Sequence, residues 1–193
     1  MASKVGIINN ALISLGQETV SSVTQNIRTA RLMVAQYDLV RKALLRLHPW
    51  SFAKSETALT LLTTSTANIP VLTDDFLYIF QLPPDFIKLL KTDVEASGYL
   101  HKIVGKRLYS NSNVINIEYI YDIEDPEQFD PDFTEAFSAK LAAELCYAIT
   151  GEKTMIEIKW AEAKLKLNMA KSMNGQEISP PEPDNSEWLN SRT

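Results

Sequence analysis

The apolar positions along this chain change period twice, dividing it into helix, strand and helix again. Val5, Ile8, Leu12 and Leu15 recur at spacings of three and four, which predicts a short helix over about 3–15 with Gly16 placed to stop it. The stripe Ala30, Met33, Tyr37, Val40, Leu44 and Leu47 predicts a second helix over about 27–48, with Asn26 able to cap it and Pro49 ending it. From 53 to 121 the pattern becomes strand-like, with runs at Thr57–Leu62, Phe76–Leu82, Phe86–Val94, Leu100–Val104, Arg107–Ser110 and Val114–Tyr121. In the last run Ile115, Ile117, Tyr119 and Tyr121 alternate with Asn116, Glu118 and Ile120, giving one largely apolar sheet face and one mixed face. Gly105 and Asn111-Ser112-Asn113 supply turns around Arg107–Ser110, so a small antiparallel meander is expected. The Thr- and Ser-rich stretch 63–73 reads as a loop.

The helical period then returns. Asp130 as cap and Pro131 at the first helical position open a third helix over about 131–150, with Phe133, Phe137, Leu141, Leu145 and Ala148 on one face. Ala136, Ala139, Ala142 and Ala143 permit close approach of another helix. Gly151 separates this helix from a fourth over about 152–173, whose inward positions are Ile156, Trp160, Ala163, Leu167 and Ala170, with Glu162 and Lys166 as a surface pair. The two form a helix hairpin. After Gly175 the run Ser179-Pro180-Pro181-Glu182-Pro183-Asp184 excludes helix, so 176–193 is expected to be an extended tail. Trp188 and Leu189 in that tail are costly to leave in water and imply a partner. The expected fold is mainly α with an antiparallel β insert (α+β): a single domain over 1–175, with the strand-rich insert at 53–121, and a partner-binding tail.

A chain of 193 residues is long enough to bury one substantial core. Its net charge of −5 argues against a general affinity for DNA phosphates, which requires many of them to be neutralised. A local basic surface remains available, because the second helix carries Arg28, Arg31, Arg41, Lys42 and Arg46 against one acid, Asp38. Such a face draws phosphate or an acidic protein surface, and the plain alternative is a solvated helix face. No run of about 18 apolar residues occurs, and the opening helix is interrupted by Asn9 and Asn10, so a soluble, unprocessed chain with no membrane segment is expected. Cys146 is the only cysteine, which rules out an intramolecular disulfide and fits a reducing compartment.

Chemistry is sparse. His48 and His101 are the only histidines, and no HExxH or nucleophile elbow occurs. Gly105-Lys106-Arg107 lacks the other residues of a phosphate loop and reads as a hairpin turn. The acids Asp122, Glu124, Asp125, Glu127, Asp130, Asp132 and Glu135 lack the spacing and glycine of a calcium loop, and read as a solvated, helix-capping stretch. Neither a catalytic constellation nor a metal or cofactor set emerges, and a non-enzymatic protein is expected. The segment His48-Pro49-Trp50-Ser51-Phe52 ends the basic helix and turns the chain into the strands. Trp50 and Phe52 read as wedges between helices and sheet, so His48, Pro49, Trp50 and Phe52 form an expected structural junction.

Tyr37-Asp38-x-x-Arg41, His48-Pro49-Trp50-x-Phe52-Ala53, Leu82-Pro83-x-Asp85-Phe86, Phe129-Asp130-Pro131-x-Phe133 and Leu141-Ala142-Ala143 follow one another in order, and Ser186-x-Trp188-Leu189 closes the series. Together they resemble the head-to-tail adaptor, or tail tubular protein A, family of short-tailed bacteriophages, over nearly the whole chain. The resemblance implies a virion structural protein of the tail and neck region. Its expected partners are copies of itself in a dodecameric ring, the portal protein above and the tubular tail nozzle below, with tail fibres a further candidate. DNA passes through the central channel only in transit. On this view Glu187, Trp188, Leu189 and Arg192 contact the portal or a neighbouring subunit. The basic face of Arg28, Arg31, Arg41, Lys42 and Arg46 then meets acidic protein between subunits, because a channel that releases DNA should not hold its phosphates tightly. The alternative is a nucleic-acid-binding packaging accessory protein that tracks the DNA backbone with the same five residues. A small hydrolase would need convergent acids, for which the spacing gives no support.

Overall fold

Ser3 accepts a hydrogen bond from the Gly6 amide at 3.0 Å, and this cap starts helix α1, Lys4–Ser14. The structure is a computed structural model that describes residues 2–62, 76–96 and 100–176. The expected loop at 63–73 and all but the first residue of the expected tail lie outside the described residues. Helix α1 ends where Gly16 was expected to stop it. Gly16 takes a φ of 68°, and the amides of Gly16 and Gln17 reach back to the carbonyls of Ile13 and Leu12, each at 3.0 Å. Asn9 then holds the following segment, accepting from the Val20 amide at 2.8 Å and donating to the Val20 carbonyl at 2.9 Å.

Helix α2, Arg28–Leu47, has Ile27 rather than Asn26 at its N-cap position. Ile27 is already extended and its carbonyl accepts from Arg31 at 3.1 Å, so Asn26 stands one residue outside the cap. The described residues that follow form seven strands and one short α-helix: β1 Lys54–Ala58, β2 Thr60–Leu62, β3 Tyr78–Gln81, β4 Phe86–Thr92, α3 Asp93–Ala96, β5 His101–Val104, β6 Arg107–Ser110 and β7 Asn116–Tyr121. Helix α4, Pro131–Thr150, opens with Asp130 at the N-cap position and Pro131 at its first residue as expected, though the Asp130 side chain accepts no capping hydrogen bond, and Gly151 at φ 75° turns the chain into α5, Thr154–Gln176. The described residues thus form an α+β protein with four long helices and two small antiparallel sheets.

Helices α1 and α2 each pack mainly against α4 rather than against each other, so the expected helix pair is two helices on a shared third. The reason is the bulk of α4: Phe133 and Phe137 are fully buried, and the Tyr37 ring of α2 lies 4.7 Å from that of Phe137. Against α5 the surface of α4 is instead small, with Ala139 and Ala143 meeting Ala163, as the alanine pattern predicts.

The expected meander does not form. Among the described residues β5 and β6 make a tight hairpin around Gly105 at φ 62°, and β6 pairs onward with β3 in a sheet of order β2-β3-β6-β5. Strand β7 leaves for the other sheet, order β1-β7-β4, and lies at its centre. Two contacts explain the departure. Asn111 accepts from the Leu77 amide at 3.0 Å instead of turning the chain back, and Asp93 accepts from both the backbone and side-chain nitrogens of Asn116 at 3.1 and 2.7 Å. Asp93 also belongs to α3, which takes residues expected as the end of β4. Strand β7 divides its side chains between two cores: Ile117 and Tyr119 join Phe80, Leu82 and Leu108 between the sheets, while Ile120 joins the helical core.

Candidate functional site

The junction after α2 is built around Trp50. Its indole is buried, donates from Nε1 to the Leu44 carbonyl at 3.0 Å, and meets the Phe133 ring edge-on at 5.0 Å. Phe52 lies 5.0 Å from Phe133 and 5.9 Å from Phe129. These rings fill the space between α4 and the sheet, which is the wedge role expected of them. His48 pairs its Nε2 with Asn174 Oδ1 at 3.1 Å, and Asn174 donates from Nδ2 to Ser51 Oγ at 2.6 Å. Burial pushes the His48 pKa below its ordinary value; the Asn174 hydrogen bond opposes this, and the Lys171, Lys88 and Lys54 charges add to it. Asn174 therefore fastens the end of α5 to the α2–β1 connection. Its one signal in the sequence is a position four residues after Ala170, where a polar group falls on the buried stripe.

The motif residues of the resemblance divide between the two cores, with Leu82 and Phe86 in the one between the sheets. Tyr37, Trp50, Phe129 and Phe133 share one core, and the Asp122 amide donates to the Asp85 carbonyl at 2.7 Å. Phe86 stacks on Tyr119 at 5.8 Å, and the Tyr119 hydroxyl donates to Asp85 Oδ1 at 3.3 Å.

The basic face of α2 is only partly a face. Arg41 is 1% exposed: its guanidinium donates to the Ile123 carbonyl, pairs with Asp122 at 2.7 Å, and lies 3.5 Å from Asp38 and 3.8 Å from Glu124. It is a buried tie between α2 and the segment after β7, which corrects its assignment to an exposed inter-subunit surface. Asp122 is correspondingly mostly buried rather than solvated, and Lys42 completes its pairing at 2.8 Å. Arg46 donates to the Ile87 carbonyl at 2.6 Å and Arg28 to the Ala148 carbonyl at 3.4 Å, so both are exposed yet also stitch elements together. Arg31 is exposed. Arg46 also borders a groove of about 570 Å³ shared with Lys88 and Lys106 and floored by Pro83, Phe86 and Ile103.

Helix α5 carries the most unusual surface. Ile158, Leu165, Met169 and Met173 are exposed by 65, 62, 60 and 49%. At about 100° per residue they fall within about 80° of one another, opposite the stripe that packs on α4. Trp160, expected to face inward, is 41% exposed; it stands at the margin of a cleft with the Lys140 ammonium 3.6 Å above its ring. That cleft, about 390 Å³, is walled by Leu47, Trp160, Ala163 and Leu167, with Lys140 and Lys164 beside them. Glu162 pairs with Lys159 at 2.9 Å and with Lys166 at 3.6 Å, and the Lys159 hydrogen bond, chief among these contacts, holds its pKa below the ordinary value.

Glu187, Trp188, Leu189 and Arg192 lie outside the described residues. Among the described residues no cluster of three His, Cys, Asp or Glu side chains is placed to hold a metal ion, and no helix is long and apolar enough to cross a membrane. The described residues form an α+β protein whose distinguishing surface features are the exposed apolar stripe of α5 and the apolar cleft beside Trp160. No protein-family model matches the chain, and no curated protein matches it.

Proposed function

We propose that this chain is a structural subunit of a short-tailed bacteriophage: a head-to-tail adaptor that assembles as a ring, dodecameric by the resemblance, between portal and tail nozzle around the channel for DNA. The observation that carries the reading is the outward stripe Ile158, Leu165, Met169 and Met173 on α5. A helix apolar on two opposite sides is suited to burial between two bodies, one being α4 of its own chain and the other a neighbour. A ring closed by rotation supplies such a neighbour on one side of every subunit through a heterologous contact. The arrangement is then a platform of helices α1, α2, α4 and α5, a β insert offering a second surface, and an extended tail that reaches the portal or an adjacent subunit through Glu187, Trp188, Leu189 and Arg192.

The test is the mass of the purified protein alone and after mixing with portal. A ring that forms with portal and fails to form when Leu165 and Met169 are changed to Glu supports the reading; unimpaired assembly of that variant overturns it. Deleting residues after Gly175 tests the tail separately, since it should leave a folded subunit that no longer joins portal.

A packaging accessory protein that binds DNA is the second reading, favoured by the groove where Arg46, Lys88 and Lys106 gather without an acid among its lining residues. Affinity for short duplex DNA that falls steeply with salt, and falls further in R46E/K106E, would select it.

A further inference from the structure

The cleft between the end of α2, α4 and α5 is apolar and open, with the Trp160 indole at its margin and two ammonium groups beside it. Leu47 is exposed there together with Trp160, and Ala163 keeps the floor low enough to admit a ring. No described residue covers it. Its volume of about 390 Å³ suits an indole together with a leucine side chain. The chain contains one segment of matching chemistry beyond α5: Glu187-Trp188-Leu189, preceded by Glu177, Glu182 and Asp184 with no intervening Lys or Arg. Apolar anchors flanked by acids complement an apolar cleft flanked by Lys164 and by Lys140, whose ammonium also pairs with Glu144 at 3.0 Å.

The length also fits. Trp188 is twelve residues beyond Gln176, a reach of about 37 Å at about 3.1 Å per residue for a proline-rich extended chain. Trp160 lies sixteen residues back along α5 from Gln176, about 24 Å at about 1.5 Å per residue. The segment can therefore turn back at the end of α5 and reach the cleft of its own chain with residues to spare.

We infer that in the free subunit this cleft is the docking site for Trp188 and Leu189 of the same chain, with Glu187 beside Lys140 or Lys164. This goes beyond the adaptor reading, because it concerns the subunit before any partner takes the segment. Docking covers the Trp160 margin of the cleft and leaves the outward stripe of α5 untouched.

Carbodiimide coupling of the full-length chain, free of portal, tests it. The coupling joins a carboxylate to an ammonium in direct contact, and mass spectrometry identifies the pair. A mixture of ¹⁴N- and ¹⁵N-labelled protein tells same-chain from between-chain products. Glu187 should couple to Lys140 or Lys164 within one chain at least about fivefold more than to Lys171, which is closer in sequence and would be favoured for an undocked segment. The preference should vanish in W188A, where the anchor is lost and the described fold is untouched. Coupling only between chains would make the cleft a neighbour's site and overturn the inference. So would coupling spread without preference, or a preference that survives W188A. Portal attachment is not part of this experiment, so loss of the adaptor reading would leave its outcome unchanged.

Discussion

Arg41 of α2 and Asp122, one residue beyond β7, form an ion pair of 2.7 Å with the guanidinium buried, and Arg41 also donates to the Ile123 carbonyl. The pair joins the helical core to the sheet that β7 centres. Because the guanidinium is out of water, its removal leaves the Asp122 carboxylate with Lys42 alone and a carbonyl without its donor. Arg41→Met should therefore cost about 3–5 kcal/mol in a denaturant titration. Arg31→Glu, on the exposed part of the same helix, should stay within about 0.5 kcal/mol of the parent. Of these two positions Arg31 can thus test a surface role of α2 by charge reversal; at Arg41 the same change would unfold the protein. A cost below about 1 kcal/mol for Arg41→Met would contradict the buried pair.

Tyr37 separates packing from hydrogen bonding. Its ring is fully buried beside Phe137 with the Lys4 ammonium 4.4 Å from its centre. Its hydroxyl is buried without a hydrogen-bond partner among the described residues. Burial pushes its pKa up to about 12, against the opposing pull of Arg41 and with a smaller push from Asp38. Tyr37→Phe removes a desolvated hydroxyl and should leave stability unchanged or raise it by about 1 kcal/mol. Tyr37→Ala should lose about 3–5 kcal/mol through the cavity it leaves. Thermal denaturation of the two variants should place them on opposite sides of the parent or nearly so. A large loss in Tyr37→Phe would mean that the hydroxyl has a partner.

Much of this fold can be read in the chain, and where it cannot the reasons are physical. All four long helices fall within a few residues of their expected bounds, because each has an apolar period of three to four and a proline or glycine near an end. Most strands are legible for a similar reason, but the run expected as one strand at Thr57–Leu62 is divided at Leu59 between β1 and β2, which join different sheets. The pairing of the strands is not, because β7 has an apolar face and a mixed face that carries Ile120 between polar residues, and periodicity does not say which neighbours it takes. Nor does charge report burial: Arg41 sits in a basic run with Lys42, yet its partner Asp122 is eighty-one residues away. Trp50 and Phe52 could be recognised as a junction from the proline and paired aromatics, whereas Asn174 gives no signal of its link to His48 beyond its place on a buried stripe.

His48 gives stability a pH dependence of defined sign. Its folded pKa lies below the ordinary value, mainly through burial, so the unfolded chain takes up the proton first as pH falls. Its contribution is fully present above about 6.5, the unfolded value, and is lost as pH drops from there through the folded pKa. Urea midpoints should therefore rise from pH 5 to pH 7. His48→Gln can keep a hydrogen bond to Asn174 but cannot take up a proton, so it should flatten that rise. Carboxylates contribute equally to both proteins and cancel in the comparison. Identical slopes would show that His48 is not the group responsible.

The outward face of α5 makes the opposite kind of prediction, a loss of association without a loss of fold. Ile158, Leu165, Met169 and Met173 make little contact within the subunit, and α5 is held instead by Ala163 and Ala170 against the core and by Asn174 at the junction. Replacing Leu165 and Met169 by Glu places two charges in water where two apolar side chains now stand, so the unfolding midpoint should shift by no more than about 0.5 kcal/mol per site. If the stripe is a subunit contact, the same pair of charges is buried without partners on assembly and should abolish it, because each costs several kcal/mol when desolvated. Alanine at Asn174 should do the reverse, lowering stability by about 1–3 kcal/mol through the loss of its bonds to His48 and Ser51 while leaving the stripe in place. Sedimentation velocity and thermal denaturation of both variants separate the two roles of α5. Equal effects of the two variants on stability and on assembly would mean that the helix has no surface reserved for a neighbour.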